Sequence, residues 1–162
     1  MRRSVTGVVV LVLSLIGLLV PNLSAAAPVR FVDVADAADA VDQAHVLDTR
    51  SFGDYLKGHV PGAVHMNDEA LRGPLGGLPV QYWSPDRLAG IFGDAGITLD
   101  SPVVVYSTVD DPLAATMTAY ALTQIGHADV RIISGGFEAW AANRATTRAF
   151  PSIEPTTITP KA

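Results

Sequence analysis

The sequence predicts an α/β protein in which about five parallel strands are sandwiched between helices. Three observations lead there. Short apolar runs alternate with helix-forming stretches from Phe31 to Asn143. The run "PVVVYS" (Pro102–Ser107) is continuously apolar and β-branched, as expected of a central parallel strand covered on both faces. Helix start and stop signals (Ser51, Ser84 with Pro85, then Gly58, Gly96 and Gly126) punctuate the chain between the runs. Strands that alternate with helices imply a parallel sheet with helical layers on its faces.

Taken in order, "FVDV" is a first short strand and "ADAADAVDQA" an alanine-rich helix. "AHVLDTR" is a strand with a polar end; Ser51 caps the short helix "FGDYLK", which Gly58 ends. "GHVPGAVHM" is a loop running into a third strand. A Gly- and Pro-rich loop follows, then the helix "PDRLAGIFGDA" capped by Ser84. The central strand leads through a tight loop into the helix "PLAATMTAYALTQI", expected to start at Pro112 and closed by Gly126. "DVRIIS" is the fifth strand, and "GGFEAWAAN" opens the last helix after two glycines.

The first residues read differently. Arg2 and Arg3 precede the apolar run Val5–Val20, and "SAAA" follows, the pattern of an export signal cut near Ala26. The apolar run falls short of the ~20 residues of a comfortable span, which favours cleavage over an uncleaved anchor, the one route to a membrane in this sequence. The expected organisation is a signal peptide (1–26), one folded domain (27–148) and a linker-like Pro/Thr-rich tail (149–162), in a protein that is periplasmic or extracellular. Losing Arg2 and Arg3 and no acid takes the formal charge from −5 to −7. So acidic a domain, without a basic patch, argues against nucleic acid as a partner. The absence of cysteine excludes disulfides, thiol chemistry and Cys-dependent metal sites.

Two stretches carry a family resemblance. "VLDTRSFGDYLKGHVPGAVHMN" resembles the first signature of the rhodanese family, and "GHADVRIISGGFEAW" resembles its second. The likeness covers about Phe31 to Arg148. It implies a rhodanese fold and a sulfurtransferase ancestry. In active members a cysteine at the end of the central strand takes sulfur from a donor such as thiosulfate or mercaptopyruvate and passes it to a thiophile such as cyanide. Details of the loops resemble the first half of two-domain sulfurtransferases, whose second half holds the cysteine.

Beside the resemblance, the residues have physical roles of their own. Asp48 and Arg50 lie on one side of a strand end and can pair. His59 can fasten its loop through ring hydrogen bonds, while Pro61 and Gly62 set the turn after Gly58. Gly135 and Gly136 permit a sharp strand-to-helix turn with positive φ, and Trp140 packs against the sheet. All are read as scaffold.

The cysteine's position falls on Ser107. A cysteine there would be activated by backbone N–H groups and a helix N-terminus, but a serine hydroxyl stays protonated and oxygen forms no persulfide. The loop continues with Thr108, Asp110 and Asp111. The two acids suit the helix dipole as capping charges, and they set fixed negative charge where an anionic donor would rest. No Lys or Arg occurs between Ser107 and Ile125.

A serine hydrolase would need a base tied to Ser107, and nothing in the sequence ties His45, His59, His65 or His127 to it. The spacing of His59 and His65 is not a metal-ligand pattern, so no metal and no cofactor is expected. Tyr82 and Trp83 offer the best contact surface, with ordinary packing over the sheet edge as the preferred alternative. The sequence thus favours an exported rhodanese-like module without autonomous sulfurtransferase activity. Its expected partner is a Cys-bearing rhodanese domain or a second copy of itself. The alternative is a component of a sulfurtransferase that works with such a partner.

Overall fold

The computed structural model describes residues 28–75 and 78–161; the expected signal segment lies outside the described residues. In chain order the elements are β1 (Val29–Val32), α1 (Val34–Val41), β2 (His45–Asp48), α2 (Phe52–Lys57), β3 (Ala63–His65), β4 (Arg72–Leu75), β5 (Leu78–Tyr82), α3 (Pro85–Asp94), β6 (Val103–Tyr106), α4 (Leu113–Gln124), β7 (Val130–Ile133) and α5 (Gly136–Asn143). A 3-10 turn, Asp68–Leu71, precedes β4. Among the described residues no helix is long and apolar enough to cross a membrane.

Five strands form one parallel sheet in the order β1-β7-β6-β2-β3, with β6 at its centre. All four residues of β6 are fully buried, which is why its sequence shows no alternation. Successive side chains still point to opposite faces. Val103 and Val105 pack with Leu88, Phe92, Ala119 and Leu122 under α3 and α4. Val104 and Tyr106 pack with Ala37, Tyr55 and Trp140 on the side of α1, α2 and α5. The expected α/β sandwich is therefore present.

The caps read from the sequence are in place. Ser51 accepts from the N–H of Asp54, and Ser84 accepts from that of Arg87. Two local differences stand out. The first strand lies two residues earlier than expected, Val29–Val32, and ends there because Asp33 caps α1 by accepting from the N–H of Asp36. The Gly/Pro-rich loop contains an antiparallel hairpin, β4–β5. Trp83 holds it down: a Cβ on Gly73 would lie 2.2 Å from the indole, so only glycine fits beneath the ring.

The Pro/Thr-rich tail runs along the domain. Just before it, Thr147 exchanges both backbone hydrogen bonds with His59. Thr156 donates its N–H to Gly93 O and its hydroxyl to Ile97 O, and Lys161 donates its N–H to Ile125 O. The tail passes so close to Gly93 that a Cβ there would stand 2.4 Å from Thr156 O. Ile158 packs on the core beneath α3 and α4.

Candidate functional site

The carboxyl ends of β2, β6 and β7 meet at one edge of the sheet, where open α/β sheets place their ligands. Each strand delivers a distinct part. From β2 comes the pair predicted by the Asp-x-Arg spacing. Arg50 Nη2 lies 2.6 Å from Asp48 Oδ2 and Nε lies 3.0 Å from Oδ1; both side chains are buried, and Nη2 also donates to Gly58 O at 2.8 Å. The Arg50 guanidinium lies 3.6 Å above the centre of the Phe137 ring. Burial works against its charge, and the hydrogen bonds and field of Asp48 more than offset that, so the Arg50 pKa is raised.

Tyr106, the last residue of β6, closes the same network. Its hydroxyl donates to Asp48 Oδ2 at 2.6 Å and accepts from the N–H of Val60 at 3.1 Å. Burial, with the Asp48 carboxylate beside it, pushes the Tyr106 phenol far up, and it stays neutral. One buried carboxylate thus ties β2, β6 and the loop after α2 together.

Ser107 follows directly and is 4% exposed. Its carbonyl accepts from the N–H of Phe137 at 2.8 Å, which locks the loop to the start of α5. Gly135 and Gly136 have φ of 77° and 61°, as their pairing predicts. A Cβ on Gly136 would lie 2.5 Å from Ser107 O, so the close approach itself demands glycine. The Ser107 side faces a cavity of about 290 Å³ lined mainly by Phe31, Val109, Pro112, Ala115 and Ile132.

The loop after Ser107 is held by bonds of its own side chains. Thr108 Oγ1 accepts from the N–H of Asp111, and Asp111 Oδ1 accepts from that of Leu113, the first residue of α4. Pro112 is the N-cap, one residue before the helix proper. The N–H of Val109 donates to Glu138 Oε2 at 2.9 Å. Glu138 was not singled out from the sequence, because it reaches the loop from a helix 29 residues away. It brings a third carboxylate to the loop that holds Asp110 and Asp111.

The remaining candidates hold the scaffold. His59 is 1% exposed and stacks on Tyr55 with ring centroids 3.9 Å apart. Its ring nitrogens lie 2.9 Å from Tyr55 O and 3.2 Å from Ala149 O. Pro61 and Gly62 form the turn before β3, Gly62 with φ 77°. Trp140 is 3% exposed and donates to Ala145 O. His65 bonds Arg50 O. At the opposite end of the sheet, His45 accepts from the N–H of Thr98, and His127 bonds Thr98 O. None of these histidine hydrogen bonds reaches Ser107. Tyr82 and Trp83 both lean on their own domain: the Tyr82 hydroxyl donates to Met117 O and Trp83 Nε1 to Ala70 O, with Arg87 3.5 Å above the indole.

Comparison with known proteins fits this geometry. The rhodanese-like domain profile matches residues 32–143. A putative thiosulfate sulfurtransferase of Synechococcus elongatus is 38% identical over 159 residues, 95% of this chain and 50% of that protein. The putative thiosulfate sulfurtransferase SseA of Mycobacterium tuberculosis is 33% identical over 99 residues, 57% of this chain and 30% of that one. The chain therefore spans half or less of the length of these relatives. Among solved structures, 3-mercaptopyruvate sulfurtransferase from Leishmania major superposes with a TM-score of 0.67 at 22% identity, over 82% of this chain and 40% of that one. The crystal structure of SseA from Escherichia coli gives 0.66 at 23% identity, over 81% and 56%. At those identities the superpositions speak for the fold. With the profile covering most of the described residues, the chain belongs to the rhodanese-like domain family.

Proposed function

We propose that this domain does not carry sulfur itself and acts as a binding module for a Cys-bearing rhodanese domain, outside the cytoplasmic membrane. The observation that carries the reading is Ser107, which stands directly after β6 where the family resemblance puts the sulfur-accepting cysteine. Sulfur transfer needs a thiolate to attack sulfane sulfur and hold it as a persulfide. A hydroxyl is protonated at neutral pH, and its oxygen cannot hold sulfur in that form.

The electrostatics of the loop support the same reading. An anionic donor such as thiosulfate would have to approach Asp110 and Asp111, both exposed, and Glu138, which already occupies the Val109 N–H. The cation of the buried network, Arg50, is committed to Asp48 and Gly58. Thiosulfate:cyanide transfer, read as thiocyanate formation, tests the proposal. The wild type is expected to stay at background, and Ser107→Cys alone is expected to gain little. The triple variant Ser107→Cys, Asp110→Asn, Asp111→Asn is expected to turn over faster than the single one. Thiocyanate formation by the wild type that is lost in Ser107→Ala would overturn the proposal.

A further inference from the structure

A cavity of about 510 Å³ opens between α2, the loop after Ser107 and α5. Its volume lies in the range of small-molecule sites, roughly 300–1,000 Å³. The most buried charged group on its wall is Arg50, whose side chain is 4% exposed. Nε and Nη2 of that guanidinium are engaged with Asp48 and Gly58 O. Nη1 has no hydrogen-bond partner among the described residues, yet it is not sealed off from open space. Asp48 and the Phe137 ring hold the guanidinium in place. Nη1 is therefore a fixed donor with its N–H groups unused, on the wall of a cavity.

The rest of the wall carries both signs. Glu138 lines it from α5; its Oε2 accepts from the Val109 N–H, which leaves Oε1 for a second donor. Lys57 and Asp54, 2.7 Å apart, line it from α2. With Asp48 behind Arg50, and Arg148 donating to Lys57 O, three acids stand against three bases. A net ion of either sign gains no long-range attraction from such a balance. A molecule that carries both charges gains at each end, through charge-assisted hydrogen bonds that act at short range. Phe137 and Ala141 supply apolar wall for a carbon skeleton.

We propose that this cavity binds a free α-amino acid, its carboxylate on Arg50 Nη1 and its ammonium on Glu138. The two protein groups come from different elements, β2 and α5, and the Arg50–Phe137 contact sets them side by side. Thiosulfate, by contrast, would meet Glu138 with no positive charge of its own. Amino-acid binding requires neither sulfur chemistry nor a partner domain, so it is separable from the preceding reading.

The test is a thermal shift of the full chain with each of the common L-amino acids at about 10 mM, then titration calorimetry with those that act. At least one is expected to raise Tm by about 2 °C or more. The methyl ester and the N-acetyl derivative of that amino acid lose one charge each, and each should bind at least about tenfold more weakly. Glu138→Gln keeps an oxygen for the Val109 N–H but loses the charge, and Ala141→Phe fills the cavity without altering any charge. Each variant should weaken binding about tenfold or more, with melts in the absence of amino acid showing that it is folded. No response to any amino acid would overturn the proposal. So would derivatives that bind as tightly as the parent, or binding that survives both Glu138→Gln and Ala141→Phe.

Discussion

Replacing Arg50 by Met is expected to be the most damaging single change at the sheet edge. The substitution removes three side-chain hydrogen bonds to Asp48, the bond to Gly58 O and the contact over Phe137. Asp48, whose side chain is 0% exposed, is left with the Tyr106 hydroxyl and the backbone N–H of residue 50. Removing one partner of a buried ion pair costs about 3–5 kcal/mol. For a domain of this size, where 1 kcal/mol moves Tm by roughly 3–6 °C, that is a fall of about 10–30 °C at pH 7. Asp48→Asn should be damaging too, because it strands the guanidinium. The double variant Asp48→Asn/Arg50→Met should then be less unstable than the sum of the two, with a coupling of about 2 kcal/mol. Urea melts of the four proteins measure this, and equal m-values would show that the same surface unfolds in each. A cost below about 1 kcal/mol for Arg50→Met, or strict additivity, would refute the view that this pair is the knot of the site.

Two glycines of one helix should respond in opposite directions. Gly93→Ala drives a methyl into Thr156 O and is expected to cost about 1–3 kcal/mol and to speed hydrogen exchange at the Thr156 amide. Gly90→Ala, with nothing within 4 Å, should stabilise by about 0.5–1 kcal/mol through helix propensity; thermal melts decide both. Stability should also fall as pH drops below about 6.5. Burial lowers the pKa of His45 and of His127, so the unfolded chain takes up protons first, and the loss levels off below the two folded pKa values. Melts between pH 7.5 and 5 should show this slope reduced in His45→Gln/His127→Gln; an unchanged slope would place its source elsewhere. Asp129, held below the ordinary carboxylate range chiefly by its hydrogen bond to Arg131, contributes only at more acid pH.

The sequence made the layers legible wherever a signal was local. The β-branched run of β6, Ser51 and Ser84 as caps, and the glycine pair before α5 all act within a few residues, so each could be read in isolation. Asp48 and Arg50 share a face for the same reason. The hairpin β4–β5 was hidden because Gly73, Pro74 and Pro79 weaken every propensity signal for a strand, and what secures it is Trp83 covering Gly73. Glu138 at the loop and Thr156 at Gly93 meet their partners across 29 and 63 residues, through contacts that leave no mark in local composition. Tyr82 was legible as a candidate contact residue.

The hydrogen bond from the Lys161 N–H to Ile125 O fixes the tail at the far end of α4 from Leu113. Twelve residues of helix separate the two points by about 18 Å. A polypeptide fused after the tail therefore starts its path at the end of α4 remote from the Ser107 loop. It needs at least about five or six extended residues to reach Leu113. A tethered probe with a shorter spacer would sample only the base of the domain. One with a somewhat longer, flexible spacer would hold its cargo at millimolar local concentration near Leu113 and the Ser107 loop. Spacer length, varied with the cargo held constant, is thus a ruler for which end of the helix a partner uses.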